Sequence, residues 1–165
     1  MNDDRTKLKT LKGLTAAVRK LRKRGKKIVF ANGCFDLLHV GHARYLAGAK
    51  SLGDVLIVGI NGDRSVRRLK GKGRPLTPEA ARAELVAGFA CTDYVTIFQE
   101  PDAERLLRAL RPDVHAKGED YTIDTVPERD VVRSYGGRVA VVGGPKVRST
   151  RGIIERVKRS PGRRH

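Results

Sequence analysis

Five short, continuously apolar segments separated by helix-patterned ones predict a single doubly wound α/β domain built on a five-stranded parallel sheet. The apolar runs lack polar alternation, so each strand must be covered on both faces. The stretch "VFANGCFDLLHVGHARYL", Val29 to Leu46, adds an oily strand that breaks at glycine and turns into a helix. At 165 residues the chain is long enough for one such domain with its own core.

The elements follow in order. Leu8, Leu11, Leu14, Val18 and Leu21 recur at helical spacing and Gly25 stops the pattern, which predicts a basic amphipathic helix over residues 1–25, packed on the domain. "KIVFAN" reads as a buried strand, "GHARYLAGAKSLG" as a helix closed by Gly53, and "DVLIVGIN" as a second buried strand, together a βαβ unit. Thr77 and Pro78 take cap and first-turn positions before the helix "EAARAELVAGFA". "DYVTIF" is the third strand, "PDAERLLRALR" a helix starting at Pro101, and "VHAKG" the fourth strand. Thr125 and Glu128 form a capping-box pattern ahead of another helix, "RVAVVGG" is the fifth strand, and a last helix starts near Ser149. The domain spans 26–158, and 159–165 form a basic tail.

Charge narrows the function. Residues 1 to 27 carry eleven Lys/Arg against two acids and residues 146 to 165 carry eight against one, so the +17 total sits at the two ends. The middle is nearly neutral. Aromatic interleaving is absent from the basic ends, which argues for a solvated surface over nucleic-acid binding. Two cysteines, Cys34 and Cys91, make no disulfide framework, and no signal or membrane-length apolar run appears, so a cytoplasmic protein without membrane attachment is expected.

In doubly wound sheets ligands bind beyond the carboxyl ends of the strands, where the first strand ends here. His39 precedes the following helix and His42 lies in its first turn, where free backbone N–H groups and the helix dipole attract anions. Gly33 and Gly41 allow a phosphate chain close to the backbone. No P-loop and no GxGxxG follows this strand. Two histidines lack a third ligand, and only His115 and His165 remain as imidazoles, so no resident metal is expected. Simple capping of the loop is the competing role. The concentration of half the chain's four histidines around one glycine favours phosphate chemistry.

These residues carry a family resemblance. "GCFDLLHVGH" resembles the HxGH signature of the nucleotidyltransferase superfamily that includes the cytidylyltransferases and phosphopantetheine adenylyltransferase, and "RSTRGI" resembles its second signature, STxxI. "NGCFDLLHVGH", "RRLKGKGRPLTP" followed by Arg82, "KGEDY" and "STRGII" are together similar to the adenylyltransferase domain of ADP-heptose synthesis, over roughly Lys26 to Val157. The resemblance implies a Rossmann-like domain transferring AMP from ATP to D-glycero-β-D-manno-heptose 1-phosphate, with pyrophosphate released and an ADP-heptose formed for lipopolysaccharide core assembly. A cytidylyltransferase acting on glycerol 3-phosphate or another small phosphate, and a non-catalytic nucleotide- or RNA-binding module, stay open as alternatives.

By the same resemblance His39 and His42 are catalytic donors to the nucleotide phosphates, and Mg²⁺ shares the triphosphate. Cys34 and Phe35 meet the nucleotide through main chain; Lys117, Asp120, Ser149 and Thr150 join them, with Tyr121 completing "KGEDY". Six basic residues and no acid lie between Arg64 and Arg74, a composition suited to phosphate, from which Lys70, Arg74 and, farther on, Arg82 are taken. Asn32, Asp36 and Asn61 complete the substrate- or phosphate-binding set. Arg148 stands where relatives have a small hydroxyl residue before ST. Many relatives carry a sugar kinase domain ahead of this one; with a basic helix in that place here, a separate heptose kinase is expected, as is a homodimer or larger assembly.

Overall fold

A computed structural model describes residues 4–144 and 150–159. The chain forms helix α1 (Leu11–Lys23), strand β1 (Ile28–Gly33), α2 (Val40–Lys50), β2 (Val55–Asn61), α3 (Asp63–Lys70) and α4 (Glu79–Ala87). It continues as β3 (Tyr94–Phe98), α5 (Glu104–Leu110), β4 (Val114–Lys117), α6 (Arg129–Ser134), β5 (Arg138–Val141) and α7 (Thr150–Arg159). Short 3₁₀ turns cover Asp4–Lys7 and Ile123–Thr125.

All five strands are parallel, in the order β3-β2-β1-β4-β5. The chain winds outward from β1 to β3, then returns past β1 to build β4 and β5, so the order reverses between β1 and β4. One face of the sheet packs Phe30, Ile57 and Val139 against Leu14 and Val18 of α1, Leu106, Leu107 and Leu110 of α5, and Val132 of α6. The other packs Val29, Leu56 and Val58 against Leu46 and Ala49 of α2 and Ala83 and Val86 of α4. Coverage on both sides is the physical reason the strand sequences are apolar throughout.

Six carboxylates mark the two ends of the sheet. At the amino end, Asp54, Asp113 and Asp93 accept the backbone N–H groups of Lys27, Ile28 and Leu56, each at 2.7 Å. Those acids pin strand starts. At the carboxyl end Asp36, Asp63 and Glu128 each pair with a cation, at 2.5, 2.8 and 3.2 Å.

Several sequence expectations shift. Leu8 fits the helical period but lies outside α1, because Thr10 caps the helix by accepting Gly13 N–H. Leu8 packs instead on the opposite core and bridges Val95 in parallel. The segment from Asp63 to Lys70, to which the sequence pattern assigns no element, is an eight-residue helix that buries Ser65 and Val66. The capping box sits at Thr122 and Thr125, around the 3₁₀ turn, while Glu128 turns its carboxylate inward to Lys117. Pro78 caps α4, one position later than expected, and α5 starts at Glu104, three residues after Pro101. The last predicted helix is α7 from Thr150; Ser149 and Arg148 lie outside the described residues.

Candidate active site

The β1–α2 turn is built around a close approach. Phe35 takes a left-handed backbone conformation (φ 49°), and its ring folds back over Gly33, where a Cβ would meet Phe35 Cε2 at 3.0 Å. Strain of this kind at the end of a strand is stored where the surroundings over-determine it. The Phe35 ring then packs on His42, with centroids 5.1 Å apart, and on Tyr45 at 6.4 Å. Tyr45 fixes α2 to the sheet by donating its hydroxyl to Ala116 O of β4 at 2.8 Å.

The two histidines are held by main chain. His39 Nδ1 accepts Gly41 N–H at 3.1 Å, and His42 Nδ1 accepts His39 N–H at 3.3 Å. With each Nδ1 acting as acceptor, the proton of each neutral ring resides on Nε2. The rings stack with centroids 4.0 Å apart. Burial, followed by the neighbouring His39, pushes His42 down to about 4, so at neutral pH it is an uncharged N–H donor. Capping and tautomer are therefore one arrangement: the main-chain contacts at Nδ1 place each ring proton on Nε2 at the start of α2.

A cationic wall faces this turn. The Cys34 sulfur feels the charges of Lys70, Arg82 and Arg74, although burial outweighs them and raises its pKa, which keeps the thiol protonated. Arg74 is held by Asp36, Nε to Oδ2 at 2.5 Å. Asp36 Oδ1 also accepts Leu76 N–H at 2.7 Å and Thr77 N–H at 2.9 Å, which draws the loop after α3 over the β1–α2 turn. Asp36 is buried and spent on this loop.

Arg82, taken from sequence as a phosphate ligand, is fully buried. It donates to Cys34 O, to Asn61 O at 2.7 Å, to Thr77 O at 2.9 Å and to Asp63 Oδ1 at 2.8 Å. The structure thus gives it to the wall, binding the ends of β1 and β2 to the loop. Asn61 is similarly internal, donating to Ser65 Oγ at 3.1 Å. Lys70 is exposed at the end of α3.

Across the switch point, Lys117 of β4 lies buried rather than open to the cleft. Its Nζ donates to Asn32 Oδ1 at 3.2 Å, lies 3.2 Å from Glu128 Oε2, and sits 5.0 Å from the centre of the Tyr121 ring. Asp120 is exposed beside Tyr121. Thr150, at the start of α7, donates to Leu37 O at 3.3 Å, so the last helix begins at the histidine turn. His39, His42, Cys34, Phe35 and Asn32 from one side of the crevice thus meet Lys117 and Tyr121 from the other, with Thr150 closing the end.

Sequence reasoning missed Glu128, His115 and Tyr45. His115 carried a usable signal, a polar residue inside an apolar strand; the structure buries it completely, with Nε2 3.1 Å from Asn32 Oδ1. Among the described residues no three His, Cys, Asp or Glu side chains converge to hold a metal. No helix among them is long and apolar enough to cross a membrane.

The comparisons with known proteins bear on the family and the fold. The cytidylyltransferase-like family model matches residues 30–155. The bifunctional protein HldE of Geobacter metallireducens is 53% identical over 161 residues, covering 98% of this chain and 33% of that protein. Its counterpart in Syntrophotalea carbinolica is 54% identical over 136 residues, covering 82% and 28%. The chain spans about a third of the length of these relatives. A lipopolysaccharide core biosynthesis protein from Thermoplasma volcanium GSS1 superposes with a TM-score of 0.61 at 32% identity, over 71% of this chain and 94% of that one. Fold, histidine turn and family match converge, and the chain belongs to the cytidylyltransferase-like family.

Proposed function

We propose that the chain is an adenylyltransferase that transfers AMP from ATP to D-glycero-β-D-manno-heptose 1-phosphate, giving ADP-heptose and pyrophosphate. The observation that carries this reading is the stacked pair His39 and His42 at a helix start, each with Nδ1 bound to main chain so that the ring proton sits on Nε2. The HldE relatives and the quoted motifs support the substrate class.

The sugar phosphate is its own nucleophile. A phosphate monoester loses its second proton with a pKa of about 6, so no side-chain base is required near neutral pH. One of its oxygens bonds to the α-phosphorus in line with the breaking bond to the pyrophosphate oxygen, and the leaving group departs with that electron pair. The chain's residues align and stabilise charge: His39 and His42 donate at the reacting phosphate, and Lys70 and Arg74, whose charges reach Cys34 of the same turn, offset the charge of the phosphate oxygens. Mg²⁺ bound to ATP would share the charge of the triphosphate. We extend the proposal to self-association, read by light scattering at assay concentration.

The test measures pyrophosphate release with ATP, CTP, GTP and UTP, each with heptose 1-phosphate or glycerol 3-phosphate. Fast release with ATP and heptose 1-phosphate is expected. Preference for CTP with glycerol 3-phosphate would reassign the substrates, and no release with any pair would remove the enzymatic reading.

A further inference from the structure

A buried polar cluster lies beneath the switch point. Asn32, His115, Lys117 and Glu128 come from β1, β4 and the start of α6, and the last three are almost fully enclosed. Lys117 is an ammonium and can only donate, so the Asn32 atom facing it at 3.2 Å is the carbonyl oxygen. That same oxygen lies 3.1 Å from His115 Nε2, which must therefore carry the proton. His115 Nδ1 is left as a bare lone pair, and it has no partner. Burial and then Lys117 drive His115 well below its ordinary pKa, so the ring is neutral. With its oxygen doubly engaged from inside, Asn32 directs its amide nitrogen, for which no partner exists among the described residues, away from the cluster; the residue itself is only half-buried.

Glu128 has no outward role. Its Oε2 is enclosed and makes no hydrogen bond, yet lies 3.2 Å from Lys117 Nζ; Oε1 is 3.4 Å away. A carboxylate with so little accessible surface acts through its neighbour. We propose that Glu128 is a positioning residue of the transfer site: its carboxylate keeps the Lys117 ammonium charged and against Asn32 Oδ1, so that the Asn32 amide presents both N–H groups to the cleft. The consequence for turnover rests on the proposed reaction; the coupling of the three residues does not.

The groups facing Lys117 decide its charge. They are Glu128 from the start of α6, His115 from β4, Asn32 from β1 and Tyr121 from the following loop, with Tyr45 of α2 within reach of the Glu128 charge. His115 is neutral, and Tyr121 is held protonated by burial and then by Glu128. Glu128 is thus the one anion in the group. Burial lowers Lys117, and Glu128 raises it again.

The experiment compares the full chain with Glu128→Gln and Glu128→Asp. Lysine side-chain NMR, with the Lys117 signal assigned by its loss in Lys117→Met, reads the titration without any turnover. Loss of the carboxylate should lower the Lys117 midpoint by roughly one to three pH units, and the Asn32 side-chain amide signals should move with that same midpoint. Glu128→Asp should keep most of the wild-type titration. In the pyrophosphate assay Glu128→Gln should lose roughly tenfold in kcat/KM for the sugar phosphate, with the loss deepening toward alkaline pH and KM for ATP little changed. An unchanged Lys117 midpoint, or Asn32 signals indifferent to it, would overturn the proposal even with an active enzyme. An inactive wild type with the coupled titration intact would instead refute the reaction. If Glu128→Gln alone does not fold, Lys117→Gln/Glu128→Gln removes the buried unpaired charge, and wild-type turnover from that double variant would overturn it.

Discussion

Arg74 and Asp36 lie 38 positions apart in sequence, and their side chains meet at 2.5 Å across the top of the sheet. Asp36 is buried in the histidine turn, while Arg74 stands in the loop that follows the basic helix α3. The pair sets where those cations stand.

Replacing Asp36 with Asn should therefore free the loop. The amide keeps the shape but loses the charge on Arg74, and its NH₂ branch cannot accept from Leu76, Thr77 or Arg74. A stability loss of roughly 1–3 kcal/mol is expected, with a several-fold rise in KM for phosphate substrates. Urea unfolding and steady-state kinetics check the two parts; an unchanged KM in a folded variant would detach the loop from binding.

Arg82 predicts a different signature. Its guanidinium reaches four acceptors on three segments, a geometry that an ammonium cannot reproduce. Arg82→Lys should cost roughly 3 kcal/mol in chemical denaturation. Residual folded enzyme should bind ATP nearly normally if Arg82 is purely internal, whereas a selective loss of ATP binding would return it to the phosphate-contacting set.

For His39 and His42, alanine at either position should lower kcat by roughly a hundredfold, with ATP binding weakened much less. The double variant should be little worse than the worse single one, because the rings act as a unit. Both rings also cap α2, so about 1 kcal/mol of stability should go with each. Normal turnover at a lower melting temperature would leave them as caps alone.

His42 also makes stability depend on pH. Its folded value, about 4, is below the ordinary 6.5, so as pH falls the unfolded chain takes up the proton first. This contribution is full above about 6.5 and is lost progressively down to about 4. His115 acts in the same direction, so the measurement is a difference: Tm against pH should fall less steeply on the acid side in His42→Gln than in the wild type. Parallel curves would reject the shift.

The parts legible in the sequence are those decided locally. Ile28 to Ala31 and Val55 to Ile60 are runs that nothing but a doubly covered strand would bury, and "HVGH" names its own turn. The helix Asp63–Lys70 was hidden because only Val66 and Leu69 mark its apolar side. Glu128 was misread for another reason: its spacing from Thr125 satisfies a capping box, but Lys117, eleven residues upstream, claims the carboxylate. Arg82 looked like a phosphate ligand because sequence shows a charge without showing that three backbone carbonyls surround it. Charge partners distant in sequence decide both cases.

The bridge between Leu8 and Val95 gives the first residues a protective task. An outer strand such as β3 presents a row of unmatched peptide groups to the solvent, the template on which a second polypeptide can add. Lys9 N–H occupies Val95 O at 2.9 Å, and Lys7 clamps the segment by donating to Ala87 O at 2.7 Å. A form of the chain starting at Thr10 would uncover that row, and intermolecular strand pairing, seen as concentration-dependent turbidity, is the hazard this short N-terminal strap averts.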